Sequence, residues 1–195
     1  MQSMKREFPP SRRRVLGATG LGLLSAGAVA ILGAEPAFAG MKKGATAQDV
    51  DILNVALGLE HEAIEAYQIG AESGLVSKEV LPTAVLFQSH HKGHRDALIG
   101  AIRQMGGAPV EARARKDYVE ALNVASLRDQ ADVLRLAARL ERGAANAYLG
   151  VIPSFGDRTL SQVAARLAAD ETMHWTALAH ALAEALPQQP LSFGA

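Results

Sequence analysis

Apolar side chains recur along this chain at the spacing of one helix face, in four separate runs. From Gln48 to Ser73 the apolar positions are Ile52, Val55, Ala56, Leu59, Ala63, Ala66 and Tyr67, the repeat of an amphipathic helix. Gly74 is placed to cap its end. A second helix is predicted from Leu81, with Ser77 or Pro82 marking its start, to the break at Gly106-Gly107-Ala108-Pro109. A third runs from about Ser126 to Val151, opened by a capping-box-like Ser126 and Asp129 and closed by Pro153 and Gly156. A fourth runs from Asp157 to Leu186 and stops at Pro187. Each spans about 25 to 30 residues, well above the mean helix length, as in bundles.

The connections are unequal. Short turns join helices one to two and three to four, so each pair is an antiparallel hairpin. The stretch from Gly107 to Ala125 between the hairpins is long enough to run back along a bundle. A short helix is expected there over Asp117 to Val124, and Arg113, Arg115 and Lys116 read as solvated surface. The expected fold is all-α: a four-helix bundle with one long crossover between helices two and three.

The first 39 residues fall outside this pattern and read as an export signal, leaving residues 40–195 as the bundle domain. Ser11-Arg12-Arg13-Arg14-Val15-Leu16 resembles a twin-arginine motif, and a weakly apolar run follows from Val15 to Leu32. Ala37-Phe38-Ala39 offers the small residues a signal peptidase needs, so cleavage is expected after Ala39. A retained membrane anchor is the competing reading, but Gly17, Gly20, Gly22 and Gly27 make the run only mildly hydrophobic. The expected location is therefore periplasmic or exported, with no stable membrane span after cleavage. Without that segment's five basic and two acidic residues the remainder carries fifteen basic and eighteen acidic ones. That mild acidity, with no basic stripe, argues against nucleic acid as a partner.

Composition narrows the chemistry. The chain has no cysteine, so disulfides, iron–sulfur clusters and thiolate sites are excluded. A metal would be held by oxygen and nitrogen, which suits iron, manganese or zinc.

An internal repeat concentrates those donors. Glu60-His61-Glu62-Ala63-Ile64-Glu65-Ala66-Tyr67 in helix one matches Glu141-Arg142-Gly143-Ala144-Ala145-Asn146-Ala147-Tyr148 in helix three. His91-Lys92-Gly93-His94-Arg95-Asp96-Ala97-Leu98 in helix two matches Glu171-Thr172-Met173-His174-Trp175-Thr176-Ala177-Leu178 in helix four. Two hairpins of one design are thus expected to pack about an approximate twofold axis. At about 100° per residue, a Glu and a Tyr seven apart share a face. Residues three apart also lie side by side, so Glu171 with His174, and His91 with His94, can each reach one metal. Two helices giving one Glu each and two giving a paired motif ending in His is the ligand pattern of di-metal carboxylate bundles.

Over residues 48 to 186 the chain resembles the ferritin-like superfamily, which includes bacterioferritins and rubrerythrins. It is most similar to exported bacterial ferritin-like domain proteins. The resemblance implies that Glu60 and Glu141 are terminal carboxylates and that Glu171 and His174 form the Glu-x-x-His motif of the last helix. It implies a hydrogen-bonding role behind the ligands for Tyr67, and the repeat extends that role to Tyr148. One position departs: where the family's first Glu-x-x-His motif has a bridging glutamate, this chain has His91, followed by His94. A neutral imidazole bridges poorly and removes a negative charge, so the number of metals stays open. The expected metal ligands are Glu60, His91, His94, Glu141, Glu171 and His174.

Bundle cores do bury some polar pairs, but Glu and His are seldom fully buried unless paired, and six inward donors favour a bound metal. His90 lies about 40° from His94 on the wheel and competes with His91, which is favoured because it aligns with Glu171. His61, Glu62, Glu65 and His180 fall away from the ligand face and read as surface; Trp175 is expected to pack between helices. Two functions fit. One is a redox metalloprotein of the ferroxidase or peroxidase type, with iron first and manganese as the alternative; zinc suits only the structural role. The other is a non-enzymatic module with one structural metal or none, in envelope stress protection or partner binding. A homodimer is expected only by analogy with the fold.

Overall fold

The structure is a computed structural model and describes residues 47–194; the export signal and its cleavage position lie outside the described residues. Five α-helices and no strand occur among the described residues: α1 Ala47–Glu72, α2 Leu81–Gln104, α3 Arg115–Ala121, α4 Gln130–Val151 and α5 Arg158–Ala181. Two 3-10 turns, Val124–Ser126 and Ile152–Ser154, precede α4 and α5. The four long helices are the predicted ones, at 22 to 26 residues rather than 25 to 30. None is long and apolar enough to cross a membrane.

Local chemistry sets the ends. Gly74 and Gly106 take left-handed backbone, with φ of 73° and 79°, and close α1 and α2. Gly107 must also be small: a Cβ there would lie 2.6 Å from Val50 Cγ1. Pro82 sits in the first turn of α2, where a missing N–H costs nothing. Two boundaries differ from expectation. Helix α4 begins at Gln130, not Ser126: the Asp129 carboxylate caps it by accepting from Asp132 N at 2.9 Å. Ser126 instead ends a 3-10 turn and donates to Asn123 O. Helix α5 ends at Ala181, short of Leu186, because Ala183 turns left-handed (φ 53°) and Glu184 N donates to Ala179 O. Asp157 caps the start of α5 by accepting from Thr159 N.

Helix α1 packs on α2 and α4 on α5, and the two hairpins meet mainly through α1 and α4. Their apolar faces make two cores at different heights. One gathers Leu53, Leu57, Leu98, Ile102, Leu160 and Leu167. The other gathers Tyr67, Phe87, Leu134, Trp175 and Leu178. Each fully buried large apolar side chain contributes about 1.5–3 kcal/mol, so the cores hold the four rods in register at both heights.

Arg113, Arg115 and Lys116 of the crossover are exposed, as expected, and the two arginines are also paired. Arg113 pairs with Glu62 at 3.2 Å and lies over the Tyr118 ring; Arg115 pairs with Glu72 and, at 3.8 Å, with Glu65. His61 Nε2 lies 3.2 Å from Val110 O. His61, Glu62 and Glu65 are therefore half-buried beneath the crossover, not open surface, whereas His180 is exposed. Tyr118, Leu122, Ile69 and Leu136 form a small third core under α3.

Candidate metal centre

Between the two large cores, all four long helices turn polar side chains inward. Glu60 comes from α1, His91 and His94 from α2, Glu141 from α4, and Glu171 and His174 from α5. All six are buried, five of them at 1% exposure or less and His94 at 9%. They form two overlapping sets whose donor atoms all lie within 4.8 Å of one another: Glu60, His91, His94 and Glu171, and His91, Glu141, Glu171 and His174. Each set can hold a metal ion. His91 and Glu171, the aligned pair of the repeat, are the two residues common to both.

His91 spans the hairpins. Its Nδ1 lies 2.8 Å from Glu60 Oε2 and its Nε2 lies 3.2 Å from Glu141 Oε1. His174 Nδ1 is 3.3 Å from both Glu141 Oε2 and Glu171 Oε2. The tyrosines cross between hairpins: the Tyr67 hydroxyl donates to Glu141 and the Tyr148 hydroxyl to Glu60.

Unsatisfied atoms in the donor set suit a cation. His94 Nδ1 and Glu171 Oε1 are buried and 3.1 Å apart, yet neither makes a hydrogen bond. Two buried polar atoms without hydrogen-bond geometry mark a place that a cation can fill, or a proton on His94 when none is bound. Imidazole and carboxylate are also the donors that iron, manganese and zinc accept.

Electrostatics agree with a site built for positive charge. Burial is the largest influence on Glu60 and opposes its ionisation, but the hydrogen bonds and charges of His91 and His94 together outweigh it and hold the group at about 2. Glu141 is likewise lowered, against burial, by His174 and His91. Glu171 goes the other way, raised because burial dominates. His91 is pushed up to about 10 by Glu141 and Glu60 despite burial. His94 rises well above the ordinary range against burial, with Asp170 the strongest raising partner. His174 rises, against burial, beside Glu141 and Glu171. Burial first, and then the adjacent carboxylates, keep Tyr67 and Tyr148 protonated well past the usual tyrosine value.

Two neighbours were not read from the sequence, and a third, His90, was read only as a rival to His91. Phe87 stacks on His174 with ring centroids 4.1 Å apart. Asp170 Oδ2 lies 3.2 Å from His94 Nε2. His90 does not displace His91; its Nδ1 lies 2.9 Å from His174 Nε2, and burial and the neighbouring His174 lower its pKa. The repeat held the signal for two of them: His90 and Asp170 occupy matching places, one residue before His91 and Glu171. Trp175 packs against Phe193 and carries the Arg142 guanidinium on its ring, so it anchors the C-terminal segment.

Comparison with known proteins agrees in fold. The family profile described as ferritin-like domain matches residues 48–184. The crystal structure of a conserved hypothetical protein from Mycobacterium tuberculosis is similar, with a TM-score of 0.63 and 25% identity, covering 73% of this chain and 94% of that one. No curated protein matches the chain.

Proposed function

We propose, on the premise that this chain belongs to the ferritin-like domain family, that it is an exported metalloprotein with an iron centre working in oxygen or peroxide redox chemistry. The observation that carries the reading is the convergence of six buried donors from four helices into two sets joined by His91 and Glu171. Iron held there would supply one-electron redox chemistry with oxygen or peroxide. The chain's own part is to bind, orient and keep dry. Tyr67 and Tyr148 fix the rotamers of Glu141 and Glu60 through hydrogen bonds that cross the hairpins. Phe87 holds the plane of His174. The apolar cores above and below exclude water, which strengthens every charge interaction within. Export is supported by the Arg12-Arg13-Arg14 leader, and that route suits a protein folded around its metal before transport.

A single-metal, non-enzymatic module is the second reading, and His91 favours it. A neutral imidazole has one lone pair, so His91 can complete only one of its two sets. Elemental analysis of protein recovered from its own compartment, followed by anaerobic ferrous loading and exposure to oxygen, separates the two. Near two irons per chain and a ferric absorption band are expected. One zinc and no spectral change would establish the module instead.

A further inference from the structure

The two sets are matched in their donors but not in what stands behind their histidines. In each, the histidine turns Nδ1 toward the glutamates and Nε2 outward. Outward of His94 is a carboxylate, Asp170, at 3.2 Å. Outward of His174 is an imidazole, His90, at 2.9 Å. These partners occupy the same place in the repeat, one residue ahead of His91 and Glu171, and each reaches the histidine of the opposite hairpin. A histidine that ligates through Nδ1 carries its proton on Nε2 and donates it to the outer partner. A carboxylate acceptor draws on that N–H more strongly than a neutral ring nitrogen does, and makes the ligand nitrogen more basic.

Resting on the metal-binding reading above, we propose that His90 and Asp170 are positioning residues that make the half-sites unequal. The set of Glu60, His94 and Glu171 binds a divalent ion more tightly than the set of Glu141, His174 and Glu171. The unequal partners also fix an order: the half-site backed by Asp170 fills first, and the one backed by His90 fills second or stays weak. Phe87, stacked on His174, stops that ring from turning to seek another partner, so His90 is its only outer contact among the ring's described neighbours with a nitrogen to offer.

The test uses the full chain, stripped with chelator and titrated with cobalt(II), which reports its ligands through visible absorption, alongside calorimetry. The wild type is expected to bind in two steps separated by at least about tenfold, the lower range for outer-partner effects. Asp170→Asn should weaken the first step about 10- to 100-fold and spare the second. His90→Asp should tighten the second step and close the gap. His90→Gln keeps a neutral partner and should leave the titration unchanged, which a merely structural role for His90 would not predict. The inference fails if Asp170→Asn weakens the second step instead, or if both charge-changing variants leave both steps within about twofold. Should His90→Asp not fold, the Asn variant at half-exposed Asp170 decides alone. Absence of any cobalt binding by the wild type would sink the metal reading itself.

Discussion

At the residue scale, His91 sits between Glu60 and Glu141 and, without a metal, is held by its proton. The sign of each shift sets how the chelated protein responds to pH. Glu60 is lowered from 4.5 to about 2, so its contribution to stability is present above 4.5 and drains as pH falls toward 2. His91 is raised from 6.5 to about 10, so its contribution is full below 6.5 and is lost as pH rises through 10. Glu171, raised by burial, favours folding while protonated and loses that as pH climbs past its raised value. Urea midpoints of chelated protein should therefore peak between pH 4.5 and 6.5 and decline above it. A maximum at or beyond about pH 8 would mean that His91 is not protonated between those carboxylates. The inward convergence of these six side chains was legible in the sequence because spacing fixes where a side chain points around its own helix. The partners that Asp170, His90 and Phe87 meet were not, because spacing says nothing about which residue of a neighbouring helix stands opposite. The depth of His61, Glu62 and Glu65 was hidden for the same reason: what covers them comes from a segment more than forty residues away.

At the scale of elements, the long helices were readable because each has a continuous apolar face and marked ends. The crossover arginines read correctly as exposed, but a polar stretch alone does not show which residues of α1 they pair with. The crossover's parts should differ sharply in energetic weight. Arg113 and Arg115 are about half exposed, and ion pairs in that setting contribute about 0–1 kcal/mol. Tyr118 is 1% exposed at the centre of the small core, with its hydroxyl accepting from Arg113 N. Removing a buried aromatic side chain costs about 3–5 kcal/mol. Denaturant unfolding should thus show Arg115→Ala within about 1 kcal/mol of wild type and Tyr118→Ala several times more costly. Equal losses would mean that the crossover is held by charge and not by its apolar anchor.

At the scale of the whole molecule, the repeat makes the centre a shared object with private arms. Glu60 and His94 belong to one set, Glu141 and His174 to the other, and Glu171 with His91 to both. Changing a private donor should cost one site, whereas changing a shared carboxylate should cost both. Glutamine is the substitution to use, because it keeps size and a hydrogen-bonding carbonyl while removing the charge. Glu60→Gln and Glu141→Gln are each expected to retain about one cobalt per chain, bound at the surviving half-site, by the sharing seen in the two sets. Glu171→Gln is expected to retain almost none at the same concentrations. Combining Glu60→Gln with Glu141→Gln should match Glu171→Gln, since both routes strip each half-site of a carboxylate. If Glu171→Gln kept a full equivalent while Glu60→Gln lost everything, the shared carboxylate would be Glu60. The twofold relation between the hairpins would then not extend to their chemistry. His91 already marks the limit of that relation: it stands where symmetry would place a second shared carboxylate, and its single lone pair obliges the two halves to differ.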